Sequence, residues 1–210
     1  GYVMLAYSAI YFAMSIIHEG DPQSVNYINF AYFAGNGLLL LFTYPLIYLL
    51  EKSFGFLSDV TLIELSDSNN ELLRSLAEKA PGTFQHSMQV AGLAEESIQK
   101  IGGNPLLVRT GALYHDIGKM EIPHYFIENQ RLGMNPHDKL EFDQSAEIII
   151  SHVTRGVKLA QKHRLPKQVV DFIKTHHGTN KVLYFYRSFK NKYPEENIDI
   201  KKFTYPGPKP

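Results

Sequence analysis

The sequence predicts an all-α protein, a transmembrane helical hairpin followed by a helical bundle. Three observations lead there. Residues 1–50 contain no Lys or Arg and only Glu19 and Asp21 as acids. Beyond them apolar residues recur at helical spacing, and strand-like runs are nearly absent, Val182–Tyr186 being the exception. The 21 basic and 21 acidic side chains cancel over the whole chain, which excludes a generally basic nucleic-acid binder. No cysteine is present, so disulfides, thiolate metal sites and a Cys nucleophile are excluded, and any metal must be held by His, Asp or Glu.

Gly1 to Ile17 is a charge-free run and a second extends from Pro22 to Leu50, densest over Phe30 to Leu50. A helix crosses the hydrocarbon core with about 20 apolar residues, so the second run suffices and the first is short by a few, which are expected to precede Gly1. No basic n-region or small-residue cleavage site marks a signal peptide. Tyr44 and Tyr48 suit an interfacial belt, and Pro45 is tolerated within a membrane bundle. The loop from His18 to Pro22 has no Lys or Arg, whereas Lys52, Arg74 and Lys79 follow Leu50. The positive-inside rule therefore places the C-terminal part in the cytoplasm of a multi-pass protein of the cell membrane. The start at Gly1 and the proline-rich stretch Thr204 to Pro210 read as the ends of a segment of something longer.

Residues 51–66 read as a connector and 67–210 as the bundle. A helix capped by Ser66 or Asp67 carries Leu72, Leu73 and Leu76 and ends at Pro81-Gly82. Further helices are expected over Thr83 to Ile101, Pro105 to Ile117, Glu141 to Lys162 and Pro166 to His177, with a polar tail after about Asn191.

Histidine placement points to chemistry. His86 is in register with Val90 and Leu93, His115-Asp116 ends a helix bearing Leu113 and Ile117, His152 follows Ile148 and Ile149, and His176-His177 follow Ile173. These five imidazoles and one carboxylate are expected to face a common interior. Protein hydrogen bonds cannot easily satisfy so many buried ring nitrogens, whereas a metal takes one nitrogen of each. The set exceeds a four-ligand zinc site, so two ions sharing Asp116 are the economical arrangement. Nitrogen-rich coordination argues against Mg²⁺ and Ca²⁺ and favours Mn²⁺ or Fe²⁺ ahead of Zn²⁺, Ni²⁺ or Co²⁺. His18, His124, His137 and His163 are left as surface residues.

The motifs "LYHDIGK", "ISHV" and "KTHHGT", with His86 in "APGTFQHS", resemble the signature of the HD-domain phosphohydrolases. Together with "ENQ" and "NPHD", close after membrane spans, they resemble the seven-transmembrane HD phosphodiesterases of the PgpH type, which hydrolyse cyclic di-AMP to pApA. The resemblance implies a helical HD-domain bundle in which His86, His115 and Asp116 bind one metal. Asp116 bridges, and His152, His176 and His177 bind the other. It also implies a further Asp on a later helix, for which the chain offers only Asp199, in the tail, so the HD domain is expected to be truncated at its C-terminus.

Neutral imidazoles hold cations without cancelling the field that attracts a phosphate, and a hydroxide bridging both ions would be the nucleophile. Asp116 and Lys119 are the expected catalytic residues, with Lys119, Tyr184 and Arg187 contacting substrate. The stretch between Lys119 and Glu141 is long enough for a lid or substrate rim. The expected partners are cyclic di-AMP and membrane lipid, with no nucleic-acid polymer and a homodimer left open. The alternatives are an HD phosphohydrolase acting on another nucleotide, or a non-catalytic membrane nucleotide sensor.

Overall fold

The structure, a computed structural model, describes residues 2–21, 23, 25–130, 133 and 135–209. Gly1 and Pro22, where the two predicted spans begin, and Pro210 lie outside the described residues. The chain divides into two compact units, Gly1–Ser58 and Asp59–Pro210. No strand occurs among the described residues, only an isolated antiparallel bridge between Lys181 and Thr204.

In the first unit α1 (Tyr2–Glu19) and α2 (Ile28–Leu41) form an antiparallel hairpin. Met4 lies against Gly37, Tyr7 packs on Phe33 at 6.2 Å between ring centroids, and Tyr11 meets Phe30 at 5.6 Å. At the closed end Asn29 Nδ2 donates to the Tyr11 hydroxyl at 2.7 Å. The following helix, α3 (Thr43–Phe54), is nearly continuous with α2. The interruption at Phe42 falls where Pro45, having no N–H, cannot bond the carbonyl four residues back. Ile28–Phe54, 27 residues, is the one helical stretch among the described residues long and apolar enough to cross a membrane. At about 1.5 Å per residue it reaches roughly 40 Å. The other predicted span is an 18-residue helix with His18 and Glu19 in its last turn, and it does not meet that standard.

The second unit runs α4 (Asp59–Ser66), α5 (Glu71–Lys79), α6 (Pro81–Ile101), α7 (Pro105–Tyr114), α8 (Phe142–Lys162), α9 (Lys167–Thr175) and α10 (Leu183–Lys192), with short 3₁₀ turns between. The cap of α5 is Asn70, whose side chain accepts from Leu72 N, rather than Ser66 or Asp67. Ser66 closes α4, and Asp67 instead turns the chain by accepting from Asn69 N. Pro81 and Gly82 belong to the first turn of α6, Pro81 sitting where its missing N–H costs nothing. Asn104 caps α7 by accepting from Leu107 N. Leu72, Leu73 and Leu76 of α5, Leu113 and Tyr114 of α7, Ile117, and Val169 and Ile173 of α9 form one buried core.

Beyond Ile173 the structure decides two points that the sequence left open. The run Val182–Tyr186 opens the helix α10, because its aromatic side chains pack laterally: Tyr186 and Phe189 both meet Phe203, at 5.8 and 5.5 Å. The supposedly polar tail is ordered around that same residue. Ile200–Phe203 forms a 3₁₀ turn, and both Phe203 and Tyr205 are buried.

Candidate metal centre

Four elements converge on Asp116. The α-helix α7 stops at Tyr114, short of the predicted Ile117, and Asp116 takes φ −108°, ψ 14° before the 3₁₀ turn Ile117–Glu121. That backbone state, close to the sparsely populated bridge region, is common at active sites. It directs the carboxylate inward, where it is only 3 % exposed. The turn can lie that close to α8 because residue 118 is glycine: a Cβ there would fall 1.9 Å from the His152 carbonyl oxygen.

Asp116 Oδ1 lies 3.2 Å from His152 Nε2 and 3.5 Å from His176 Nε2, and Oδ2 lies 3.1 Å from His115 Nε2. The opposite ring nitrogens are already engaged. Nδ1 of His115 is 2.6 Å from Ala112 O, Nδ1 of His152 is 2.6 Å from Ile149 O, and Nδ1 of His176 is 3.0 Å from Ile173 O. A carbonyl only accepts, so each Nδ1 carries the proton and each neutral ring presents an Nε2 lone pair. Those lone pairs face a carboxylate and one another, with 3.3 Å between the Nε2 atoms of His152 and His176. Asp116 Oδ1 is buried without a hydrogen bond. Among the described residues no hydrogen-bond donor meets Oδ1 or the Nε2 lone pairs of His152 and His176, which is the environment of a cation, so the residues fit a metal.

Two groups bring one donor atom each within 4.8 Å of the others: Asp116, His152, His176 and His177, and His86, His115 and Asp116. All six sequence-predicted His and Asp positions thus come together, with one correction. His86 does not face the interior; it is exposed at the rim, as is Leu93, which shares its helix face and is 69 % exposed. Its ring stands 5.7 Å from that of His115. Asp199 is absent from both groups and caps the turn at Ile200 by accepting from Lys201 N.

Burial opposes the charged form of Asp116, yet the facing imidazoles of His115, His152 and His176, when protonated, more than compensate and hold its carboxyl well below the ordinary range. Lys119 is at the site, with Nζ 2.9 Å from Asp116 Oδ2 and 2.8 Å from Glu128 Oε1. Tyr184 and Arg187 are exposed on α10. Tyr184 lines a separate surface pocket with His137, Lys139, Phe185 and Lys192. His137 itself is not a free surface residue, since its Nε2 lies 2.9 Å from Tyr125 O and its ring packs on Tyr125 and Phe185. His124 and His163 are exposed, as expected.

Sequence reasoning missed a clasp behind Lys119. Thr83 N donates to Asn129 Oδ1 at 3.1 Å, Asn129 Nδ2 donates to Thr83 Oγ1 at 2.8 Å, and Thr83 Oγ1 donates to Glu128 Oε1 at 3.0 Å. Gly82 permits it, because a Cβ would overlap the Glu128 carbonyl oxygen at 1.8 Å. The motifs "PGT" and "ENQ" were the available signal, but nothing in one sequence pairs them. Thr83 is fully buried, so Asn129→Ala, which strands its backbone N–H, is expected to lower unfolding free energy by about 1–3 kcal/mol. Urea denaturation measures it.

Residues 83–203 match the HD domain family model. Over 185 residues, 87 % of this chain and 25 % of the relative, the sequence is 45 % identical to the cyclic-di-AMP phosphodiesterase PgpH of Listeria monocytogenes. Over 160 residues, 76 % of this chain and 22 % of the relative, it is 47 % identical to the protein of the same name in Bacillus subtilis. The chain therefore spans about a quarter of the length of these relatives. The crystal structure of the L. monocytogenes PgpH HD domain in complex with cyclic-di-AMP is similar with a TM-score of 0.65 at 46 % identity, covering 69 % of this chain and 66 % of that one. Because the family match takes in more than half of its residues, and its His and Asp side chains converge as described, the chain belongs to the HD domain family.

Proposed function

We propose that this chain is the metal-binding part of a membrane-anchored phosphodiesterase that hydrolyses cyclic di-AMP to pApA. The observation that carries the reading is the convergence of five imidazoles on the buried Asp116, in a chain 45–47 % identical to proteins named for that activity. His86, His115 and Asp116 would hold one divalent cation, and Asp116, His152, His176 and His177 a second, with Mn²⁺ or Fe²⁺ suited to the donors. When bound, such cations supply positive charge to the phosphate and lower the pKa of an attacking water. The chain's own contributions are orientation and field. The Nδ1–carbonyl bonds fix three rings before substrate arrives, and Asp116 is the one anionic ligand among the described residues, so the metal-loaded pocket would stay cationic toward a phosphodiester. Lys119, released from Glu128, would place its ammonium on a non-bridging phosphate oxygen, while Glu128 and Asn129 hold the segment that governs that release.

The helix Ile28–Phe54 supports the membrane anchor, and the absence of Lys and Arg before Lys52 supports a cytoplasmic catalytic domain within a multi-pass protein. Incubating the Mn²⁺-loaded full-length protein with cyclic di-AMP tests the function. Formation of pApA is expected, and its absence, or preferential turnover of a guanine dinucleotide, would overturn the substrate.

Acidification probes the two ligand groups separately, because a ligating imidazole must be neutral. Burial opposes charge on His115, but the Asp116 carboxylate and the Ala112 carbonyl outweigh it and raise its pKa above 6.5. Burial, with the repulsion His176 and His152 exert when protonated, pushes His177 down to about 3. Protons therefore compete at His115 before they compete at His177. Metal content measured from pH 7.5 to 5 is expected to fall first from the His86–His115 side, leaving the His177 side loaded. In the metal-free protein the signs differ as well. His177 contributes stability above pH 6.5 that is lost as pH falls toward 3, whereas the contribution of His115 is present below 6.5 and lost as pH rises through its raised pKa. Simultaneous loss of all metal would contradict the assignment.

A further inference from the structure

Three of the imidazoles around Asp116 are fixed by an Nδ1 bond to a helix carbonyl; His177 is not. It follows the end of α9, in a turn closed by Gly178 N to Thr175 O at 2.7 Å, and neither of its ring nitrogens has a hydrogen bond among the described residues. The rings of His176 and His152 tilt against it at 4.1 and 5.2 Å between centroids, and Tyr205 alone is stacked face to face on it among the described residues, with centroids 4.0 Å apart and planes 15° from parallel.

Tyr205 is brought there by a segment built for the purpose. Its backbone N donates to Asn180 O at 2.9 Å, and Val182 N donates to Phe203 O at 2.8 Å, so the C-terminal strap is bonded main chain to main chain with the residues that follow His177. Phe203 anchors the strap in the core at 1 % exposure, and Tyr205 itself is 7 % exposed. The strap is thus held to the turn on which His177 sits.

We propose that Tyr205 is a positioning residue for His177, its aromatic face taking the place of the missing Nδ1–carbonyl bond and holding the imidazole in the rotamer that points at Asp116. This rests on the metal reading above. An imidazole free to rotate must be ordered by the cation itself, and outer partners of ligating histidines are typically worth about 10–100-fold in metal affinity. Stacking requires a flat ring and no hydroxyl, which makes phenylalanine a conservative substitute and leucine a volume-filling one without the face.

Mn²⁺ titration of the full chain by calorimetry, with Tyr205→Phe and Tyr205→Leu, reads the effect on metal. Proton NMR of the metal-free chain reads the stack alone, through the upfield ring-current shift of the His177 ring protons. The expected result is about tenfold weaker Mn²⁺ binding in Tyr205→Leu, affinity in Tyr205→Phe within about twofold of wild type, and an upfield shift kept in Tyr205→Phe and lost in Tyr205→Leu. Leucine binding Mn²⁺ as tightly as wild type, or phenylalanine as weakly as leucine, would overturn the proposal. A wild-type chain that shows the shifted protons but takes up no Mn²⁺ would sink the metal reading, and this role of Tyr205 would fall with it, leaving the stack as packing.

Discussion

Replacing Asp116 by alanine is expected to empty both ligand groups at once and to end phosphodiester hydrolysis. Among the described residues no other side chain belongs to both. Oδ1 faces His152 and His176 while Oδ2 faces His115 and Lys119, so one truncation removes the anionic donor from each side and leaves only neutral imidazoles. Neutral donors alone hold a divalent cation weakly here, because nothing then offsets its charge inside a buried pocket. Elemental analysis should find metal reduced to near background, and turnover should fall on the order of a thousand-fold or more, about 4 kcal/mol of lost transition-state stabilisation. Asp116→Asn keeps the shape without the charge and is expected to lose metal nearly as completely. Helical circular dichroism should persist in both, since the apolar core of α5, α7 and α9 is untouched. A variant with full metal content, or one retaining turnover within tenfold, would defeat the assignment. If the wild-type chain binds metal but cleaves no nucleotide while the variant loses metal, the domain is a sensor rather than an enzyme.

The parts of this centre visible in the sequence are those that neighbouring residues fix. His115-Asp116 and His176-His177 are adjacent pairs at helix ends, where the chain leaves the helix and two successive side chains can reach the same point. His152 could be placed because α8 is long and strongly amphipathic, with its buried side marked by Ala146, Val153 and Ala160. Periodicity is weaker at His86. It groups His86, Val90 and Leu93 on one face but cannot say whether that face is covered, and Leu93 turns out to be solvent-exposed. Local pattern also missed the early end of α7, because Ile117 continues the helical spacing although the backbone has already changed. The clasp between Thr83 and Asn129 spans 46 residues and the stack of Tyr205 on His177 spans 28. Such pairs are specified by tertiary packing, which a single sequence carries without displaying. The order of the strap could not be judged for a related reason: Phe203 and Tyr205 alternate with polar residues in a stretch too short for a period, so only their partners on α10 and His177 reveal them as interior.

Gly118→Ala is expected to be among the most damaging single methyl additions near the site. Its Cβ would lie 1.9 Å from the His152 carbonyl oxygen, 2.8 Å from the His152 carbonyl carbon and 2.5 Å from Gly156 N. All three are main-chain atoms in the middle of α8, so no rotamer change can relieve the overlap. Either the 3₁₀ turn Ile117–Glu121 lifts away from α8 or the helix bends. Lifting the turn exposes Ile117, which is fully buried, and Met120, which is nearly so, and it withdraws Asp116 from His152 because the two are carried by the separating elements. Overpacking in a yielding core costs about 1–3 kcal/mol, and a backbone-on-backbone collision with no yielding partner should reach at least the top of that range. Urea midpoints should show it even in metal-free protein, which separates this effect from ligand loss: Asp116→Ala loses metal with its helical fold kept, whereas Gly118→Ala loses stability first and metal as a consequence. Raising the Mn²⁺ concentration should then recover part of the stability of Gly118→Ala by mass action and none of the metal binding of Asp116→Ala. A Gly118→Ala protein as stable as wild type would mean that the turn does not press on α8 at His152, and that the inward aim of Asp116 has some other cause.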